Sequence, residues 1–328
     1  MRLLLTDEQR EFARSLEAML SAADTPAAVR AWADGDSGPG LALWSRLADA
    51  GVFALAVPDA YEGVGPLPVE LALAYTALGR HAVPGPVVET AAAAALLGAL
   101  GDAGFAPAKE WLSSLASGRR VASLGVGAYA LDADSADAVF LVRGDELRLA
   151  AAPGPPRASA DPARRLFRPP NDGELLARGP AVREAAARAT DWAAFLTAAQ
   201  SLGVGEALLA RTVAYVKQRT QFGAPIGSFQ AVKHRLADIL IGLEFARPLL
   251  HGAALALGAG SPRAGAHVAA AKVAAGEAAY ATARAALQLH GAIGYTQELD
   301  LSLWLRKARP LRDAWGTPSE CRRRVLAD

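Results

Sequence analysis

Apolar residues recur every three or four positions on both sides of a polar loop at residues 219–229, which indicates two amphipathic helices joined by that loop. The residues that carry this spacing are Leu202, Leu208, Leu209, Val213 and Val216 before the loop and Val232, Leu236, Ile239, Leu240 and Leu243 after it. Gly223, Pro225 and Gly227 interrupt the first helix, and Ser228 is the predicted N-cap of the second.

The same periodicity continues toward the C-terminus. It predicts helices near 190–218, 228–258, 262–290 and 298–312, with Asp191 near the start of the first and Ser261-Pro262 at the start of the third. Their lengths and short connections favour an antiparallel four-helix bundle.

Residues 1 to about 112 are also predicted to be helical. Thr6 stands before several acidic and amide residues as an N-cap, and Phe12, Leu16 and Leu20 form the apolar stripe of the first helix. Prolines and glycines at 58–68 break the chain into a loop.

Between residues 113 and 180 the pattern changes to alternating, strand-like segments. Residues 120–126 and 138–142 are predicted strands, 143–145 a turn and 147–149 a returning strand, with four or five strands in total. The predicted fold is therefore mainly α with a small β-domain (α+β). Its parts are an N-terminal helical domain (1–112), a small middle β-domain (113–180), truncated by comparison with the family that the chain resembles below, and a C-terminal helical bundle (181–328).

Composition narrows the functional classes. Hydrophobic residues make up 52% of the 328 residues and the formal net charge is +1, which argues against a nucleic-acid-binding surface. A single cysteine, Cys321, rules out an intrachain disulfide. No apolar run approaches the roughly 18 to 20 residues of a membrane span, and Met1–Leu5 is too short for a signal-peptide core. The expectation is a cytoplasmic protein without membrane partners.

The polar loop itself has two physical interpretations. Arg219 offers a planar fork of donors, Phe222 offers a ring face, and the following helix begins at Gln230 with free amides, which together suit a phosphate-bearing ligand. An ordinary helical hairpin, with an arginine at the negative end of a helix dipole, has the same sequence signature.

Three separated blocks resemble the acyl-CoA dehydrogenase family, whose members are FAD-dependent enzymes that oxidise the Cα–Cβ bond of acyl-CoA thioesters. The blocks are Arg219-Thr-Gln-Phe-Gly-Ala-Pro-Ile226 with Phe229-Gln230 and Leu236-Ala-Asp238, then Gln288-Leu-His-Gly-Ala-Ile-Gly-Tyr-Thr296, and the opening pair Leu5–Phe12 and Leu47–Pro58. They occur in the family's order.

The resemblance implies FAD as cofactor and a set of residues that contact it. In the family, the C-terminal domain of one subunit reaches the ADP part of a neighbour's FAD. The residues that match this role here are Arg219, Phe222, Gln230, Gln288 and Gly291. Ala292 stands where the family usually has glycine, and Thr317 matches a residue that touches the subunit's own FAD.

Both positions at which the family carries its catalytic base lack a carboxylate. Alignment without gaps places Trp315 at the usual glutamate and Ala193 at the alternative position on the helix before the Arg219 loop. Glu320 would be a displaced base, although the family's glutamate after this Gly-Thr pair does not serve as one. Asp191 lies two residues from the second position and so faces about 200° away on a helix.

The middle region also departs from the family. It is short and contains no counterpart of the Thr-Glu-Pro-x-x-Gly-Ser-Asp segment that helps hold the flavin ring. In the loop Pro58–Gly65, Glu62 replaces one of the family's glycines, so both a site near the flavin and a plain solvent-exposed turn are open interpretations.

Taken together, the pattern resembles the short, base-lacking subunits of α2β2 acyl-CoA dehydrogenases of bacterial steroid degradation. The implied function is α,β-dehydrogenation of an acyl-CoA in a complex whose full-length partner supplies the glutamate. A stand-alone flavoprotein oxidase or monooxygenase, a homo-oligomer and a non-catalytic structural paralogue are the alternatives.

His234 and His290 have no partner at metal-ligand spacing and are expected at an interface or in the core. The arginine run Arg322–Arg324 is expected at a solvated terminus.

Overall fold

The computed structural model describes residues 4–327, which form eleven α-helices and nine strands. The helices are α1 (Asp7–Ser21), α2 (Thr25–Ala33), α3 (Gly38–Asp49), α4 (Pro68–Arg80), α5 (Val87–Asp102), α6 (Ala108–Ala116), α7 (Pro180–Gln218), α8 (Gln230–Gly258), α9 (Ala264–His290), α10 (Leu301–Asp313) and α11 (Pro318–Ala327). The strands are β1 (Ala122–Gly125), β2 (Ala130–Leu131), β3 (Ala138–Arg143), β4 (Glu146–Leu149), β5 (Pro156–Arg157), β6 (Leu166–Phe167), β7 (Glu174–Arg178), β8 (Thr220–Gln221) and β9 (Ala224–Pro225).

The chain divides into two compact units, each discontinuous in sequence. A helical unit comprises the residues up to Pro26, the segment Ala72–Ala82 and the residues from Thr197 onward; a mixed unit comprises Ala27–Leu71 and Val83–Leu196. The predicted combination of helical ends and a small β-region is confirmed. The segment Met1–Leu5, which the sequence excludes as a signal-peptide core, lies partly outside the described residues.

The predicted cap of α1 is present and is reciprocal. The Thr6 hydroxyl accepts a hydrogen bond from the Gln9 amide at 3.2 Å, and the Gln9 side chain accepts one from the Thr6 amide at 3.0 Å. Leu16 and Leu20 of the predicted stripe are buried. Two amides that a helix start would leave unpaired are thereby satisfied.

The mixed unit contains two small sheets. The four-stranded sheet has the order β1-β3-β4-β7 with β1 and β3 parallel, and the three-stranded sheet has the antiparallel order β2-β6-β5. The β3–β4 hairpin turns at Gly144 (φ 63°), as predicted. The region up to Arg178 holds seven strands rather than four or five, because β2, β5 and β6 are two-residue strands, too short for alternation to reveal.

A buried ionic cluster lies within the mixed unit. Asp132 has no exposed surface and accepts hydrogen bonds from the Trp32 indole at 3.0 Å and the Arg165 amide at 3.2 Å. Arg165 also pairs with Asp134, and Arg164 approaches Glu89. Burial raises the pKa of Asp132 to about 7, the indole hydrogen bond opposes this shift, and Glu89 adds to it. Asp132 has φ 49°, a backbone conformation that aspartate tolerates better than most residues.

Several predicted helix boundaries in the C-terminal region are wrong. Helix α7 begins at Pro180 and not near 190, so Asp191 lies in the helix interior and not at its start. Ser228 does not cap α8, because its hydroxyl donates to the Pro225 carbonyl inside a 3₁₀ turn, and the helix begins one residue later after Phe229. Similarly, Ser261 accepts a hydrogen bond from the Arg263 amide and α9 starts only at Ala264.

The four predicted C-terminal helices are all present, and α11 adds a fifth. Helix α9 packs against α8, α10 and α11. The expectation that no segment approaches a membrane span is wrong. Helices α7 and α8 are both long and apolar enough to cross a membrane, judged by their length and composition. In α7 83% of the apolar window is buried inside the protein, as in a core helix, whereas in α8 only 33% is.

The raised pKa of Asp132 predicts a pH-dependent stability. The unfolded carboxyl titrates near its ordinary value of 3.8 and the folded one near 7, so the folded state binds the extra proton and loses stability as pH rises between these values. We expect Asp132→Asn to keep the acceptor for Trp32 and to remove this loss. The melting temperature of the variant should fall less between pH 5 and pH 8 than that of the wild type.

Asp49→Asn is the matched control, because Asp49 is exposed on α3. Its melting curve should follow the wild-type pH dependence. An Asp132→Asn profile as steep as the wild-type profile would contradict the assignment of the proton to Asp132.

Candidate functional site

The Arg219 loop is a tight hairpin that displays its aromatic residue. The Arg219 amide still donates to the Tyr215 carbonyl at 2.9 Å, and β8 and β9 then pair across a turn formed by Phe222 (φ 54°) and Gly223 (φ 77°). A left-handed conformation is uncommon for phenylalanine. It places Phe222 at the hairpin tip with 93% of its surface exposed, in edge contact with Phe229 at 6.3 Å between ring centroids.

The groups around this hairpin favour an anion. The Arg219 side chain is exposed and makes no ion pair within residues 4–327. Helix α8 starts beside it without a side-chain cap and without an acidic residue in its first turn, and Gln230 is exposed at its first position. Uncapped amides at a helix N-terminus carry partial positive charge, so the hairpin and the helix start together match a phosphate or pyrophosphate group.

A second loop follows α9. Gly291 adopts φ 64° and ψ −140°, a region that is essentially restricted to glycine, although a Cβ built there would meet no atom within 4 Å. The conformation, and not crowding, therefore requires glycine. Gln288 and Ala292 on either side are exposed, so a ligand can approach the backbone here.

Tyr215 and His290 join the C-terminal ends of α7 and α9, just before the two loops. Their rings stack at 4.1 Å between centroids with a 21° interplanar angle, and the Tyr215 hydroxyl donates to the His290 carbonyl at 3.4 Å. The His290 Nδ1 lies 2.8 Å from the Ala286 carbonyl oxygen, and burial lowers the pKa of the ring. His290 is thus a core residue, one of the two expected alternatives, whereas His234 is exposed.

Neither position of the family's base holds a proton acceptor in the structure. Trp315 follows α10 in a left-handed conformation (φ 55°) and is partly buried, and Ala193 is completely buried in α7. An indole nitrogen only donates, and a methyl group does neither.

A buried lysine supports the Trp315 segment. Lys272 of α9 is 1% exposed, and its ammonium donates to the carbonyls of Leu311 (2.9 Å), Arg312 (2.8 Å) and Gly316 (3.3 Å). These carbonyls belong to the end of α10 and the turn after Trp315. The sequence-based prediction missed Lys272, although a lysine in register with the apolar positions of an alanine-rich helix was a signal for it.

Thr317 and Glu320 form the cap of α11. The Thr317 amide and hydroxyl both donate to the Glu320 carboxylate, at 2.8 Å and 2.6 Å. These hydrogen bonds lower the pKa of Glu320. A carboxylate held in this way by Thr317 is poorly placed to take a proton from a substrate, which weighs against Glu320 as a displaced base.

The structure therefore separates the candidate cofactor residues into two groups. The first group follows or lies close in sequence to the Tyr215–His290 contact and consists of Arg219, Phe222, Gln230, Gln288, Gly291 and Ala292. The second is Thr317, on the segment that Lys272 holds. Lys272 and Gln288 are sixteen residues apart along one helix, a rise of about 24 Å. Each group would thus meet a different part of a cofactor, or a different cofactor molecule.

Two further candidates have structural partners. Glu62 adopts φ 65°, the backbone conformation that glycine favours, and accepts a hydrogen bond from the Ser113 hydroxyl. The glycine-to-glutamate change therefore leaves a left-handed turn in place.

Arg322, in the C-terminal arginine run, pairs with Glu277 at 2.6 Å. Within residues 4–327 there is no cluster of three or more histidine, cysteine or acidic residues placed to bind a metal ion.

Comparison with known proteins gives a consistent result. The sequence profile of the acyl-CoA dehydrogenase N-terminal domain matches residues 6–119, and that of the C-terminal domain matches residues 183–328. Acyl-CoA dehydrogenase IpdE2 of Mycobacterium tuberculosis is 36% identical over 326 residues, which cover 98% of this chain and 97% of that protein.

Solved structures agree with these matches. A variant of the Tcur3481-Tcur3483 steroid ACAD superposes with a TM-score of 0.83 at 25% identity, covering 98% of this chain and 97% of the other. The ChsE4-ChsE5 complex of Mycobacterium tuberculosis gives a TM-score of 0.80 at 25% identity, covering 100% and 98%. The chain belongs to the acyl-CoA dehydrogenase family.

Proposed function

We propose that this chain is a subunit of an FAD-dependent acyl-CoA dehydrogenase that lacks the catalytic base and acts in a mixed oligomer. In this proposal it contributes FAD-binding residues to a site whose glutamate comes from a full-length partner subunit. The reaction is α,β-dehydrogenation of an acyl-CoA thioester, and the complex is cytoplasmic. Similar proteins include a steroid ACAD and the ChsE4-ChsE5 complex of two differently named chains, which supports a bulky substrate and a mixed assembly.

One observation carries the proposal: the two base positions lack a carboxylate, whereas the residues that match FAD contacts are exposed. Oxidation at Cα–Cβ requires a base that removes the α-proton, and a carboxylate held against the substrate performs this step in the family. Trp315 and Ala193 leave this chain without one. Meanwhile Phe222 is 93% exposed, and Arg219 and Gln288 are exposed too, so these side chains are available to a second molecule.

The residues present fit the ADP part of FAD. Arg219 and the uncapped start of α8 offer donors and positive potential to the pyrophosphate. Phe222 offers a ring face, and Gly291 lets the backbone approach the ligand without a side chain. When bound, FAD supplies the acceptor for the β-hydride. The Thr317 hydroxyl is engaged by Glu320, so a role in binding this subunit's own flavin would require it to accept and not donate.

Helix α8 supports assembly through an apolar face without cover in the single chain. Leu240, Ile241, Phe245 and Leu249 are 48%, 52%, 71% and 44% exposed. The last three recur at four-residue spacing, and Leu240 is adjacent to the first of them. An exposed apolar stripe of this kind on a long helix is characteristic of a subunit interface. The other subunit of the proposed complex would cover it.

The main test is co-expression with a panel of full-length acyl-CoA dehydrogenases that carry the glutamate, followed by sizing and by the ratio of bound FAD to protein. We expect a complex of unlike chains with one FAD for each pair. Arg219→Gln should leave assembly intact but weaken FAD binding by tenfold or more, because it removes charge-assisted hydrogen bonds to the pyrophosphate. FAD should then be lost on dialysis.

Arg263→Gln is the control, since Arg263 is exposed at the opposite end of α9. It should retain FAD. A purified single chain that holds FAD and turns over acyl-CoA would contradict the proposal and favour a stand-alone flavoenzyme. Full flavin retention in the Arg219→Gln complex would favour a structural paralogue.

A second prediction concerns the apolar face of α8. Phe245→Asp places a charge at its centre, and burial of an unpaired carboxylate is strongly unfavourable. We expect the variant to remain folded but to weaken association with the partner at least a hundredfold, as measured by size-exclusion chromatography with light scattering.

Leu41→Asp serves for comparison, because Leu41 is a 36% exposed leucine on a different helix, α3. It should assemble like the wild type. If Phe245→Asp also assembles normally, helix α8 is not the interface.

A further inference from the structure

The β-region of the mixed unit contains an open cavity of about 530 Å³, within the usual size range of small-molecule sites. Three segments line it: the residues after β1, the end of β3 with the following turn, and the residues after β6. The lining residues are Val126, Gly127, Ala128, Val142, Arg143, Gly144, Arg168, Pro169, Pro170 and Asn171. The lining contains two arginines and no carboxylate.

Arg143 is held in place at this cavity by neutral acceptors only. Its Nε donates to the Asn171 side-chain oxygen at 3.0 Å, and its Nη1 donates to the carbonyls of Val142 (3.0 Å) and Gly125 (3.3 Å). No carboxylate pairs with it within residues 4–327. Burial lowers the pKa of the guanidinium, and no charged neighbour offsets this effect. A partly buried cation without a counter-ion is a costly arrangement that a bound anion would relieve.

Arg168 supplies a second cation at the same cavity. It is exposed, follows β6 and makes no ion pair within the described part of the chain. Asp145, in the β3–β4 turn, pairs with Arg183 at 3.5 Å. The positive charge of the cavity is therefore not neutralised from that side.

The remaining lining combines open backbone with apolar side chains. Gly127 and Gly144 have open space where a Cβ would stand, so a ligand can approach the backbone closely. Val126, Val142 and Pro169 form an apolar wall beside the two arginines. Arginine pairs with phosphate through planar, two-pronged hydrogen bonds, and an apolar wall suits the face of a base.

We propose that this cavity binds a phosphate-bearing ligand, with Arg143 and Arg168 holding its phosphates. The residues of this cavity differ from those of the Arg219 loop, and the proposal does not require the FAD contacts proposed above. The same chemistry is offered by inorganic pyrophosphate, by free ADP and by the diphosphate of a coenzyme-type ester such as CoA, and binding measurements distinguish these sources.

The test is calorimetric titration of the full chain with pyrophosphate, ADP, CoA and neutral adenosine. It is carried out in the Arg219→Gln background, so that the Arg219 loop does not contribute and failure of either proposal can be distinguished. We expect the phosphate-bearing probes to bind and adenosine to bind at least tenfold more weakly. Arg143→Gln and Arg168→Gln should each weaken binding about tenfold, the effect of one lost charge-assisted hydrogen bond.

Arg157→Gln is the matched control, because Arg157 is an exposed arginine on β5 outside the lining. It should bind like its parent. Arg168 is exposed, so its variant tests the proposal even if Arg143→Gln folds poorly. Preference for ADP and CoA over pyrophosphate would identify a nucleotide, and equal affinity an inorganic ligand. Absence of binding, or binding unaffected by both substitutions, would overturn the proposal.

Discussion

The contact between Tyr215 and His290 determines how the candidate cofactor loops are placed. One residue lies a single turn before Arg219 and the other immediately before Gly291, so stacking of their rings fixes two chain reversals at one end of the helical unit. The contact is stable because His290 is buried, with its pKa lowered and its ring nitrogen held by the Ala286 carbonyl. A neutral imidazole can stack without the cost of burying a charge. Beyond this contact Arg219 and Phe222 are exposed.

At the other end of α9 the constraint is electrostatic. The ammonium of Lys272 is almost fully buried and finds acceptors in the carbonyls at the end of α10 and after Trp315. A buried cation without such acceptors would be strongly destabilising, so the turn must keep these carbonyls pointed inward. The segment that carries the family's glutamate therefore retains a defined backbone even though Trp315 occupies that position. The loop is therefore kept although it carries no catalytic base.

How far the sequence predicts this molecule depends on the range over which each signal acts. Long amphipathic helices, the Thr6 cap and the β3–β4 turn at Gly144 are set by neighbouring residues and were predicted. The start of α7 was not, because the alanine-rich segment after Pro180 has little amphipathic contrast. Asp132 and Lys272 could not be placed, since their partners are distant in sequence: Trp32 is one hundred residues away from Asp132, and Leu311 is thirty-nine from Lys272. The motif residues Arg219 and Gly291 were identified by resemblance, but their common placement depends on Tyr215, which no motif included.

The arginines of this chain differ in whether a carboxylate of the same chain pairs with them. The chain has 34 basic and 33 acidic residues, and many arginines pair internally, as Arg80 does with Glu17 and Glu206. An exposed arginine without a carboxylate is ordinary, because water solvates it at little cost. Arg219 is distinguished by its surroundings, an uncapped helix start and an exposed ring, and Arg143 by burial without a counter-ion. Since the physical reasons differ, the two sites can be lost independently: removing Arg219 affects only what approaches the hairpin, whereas removing Arg143 also releases the carbonyls and the Asn171 side chain that now accept from it.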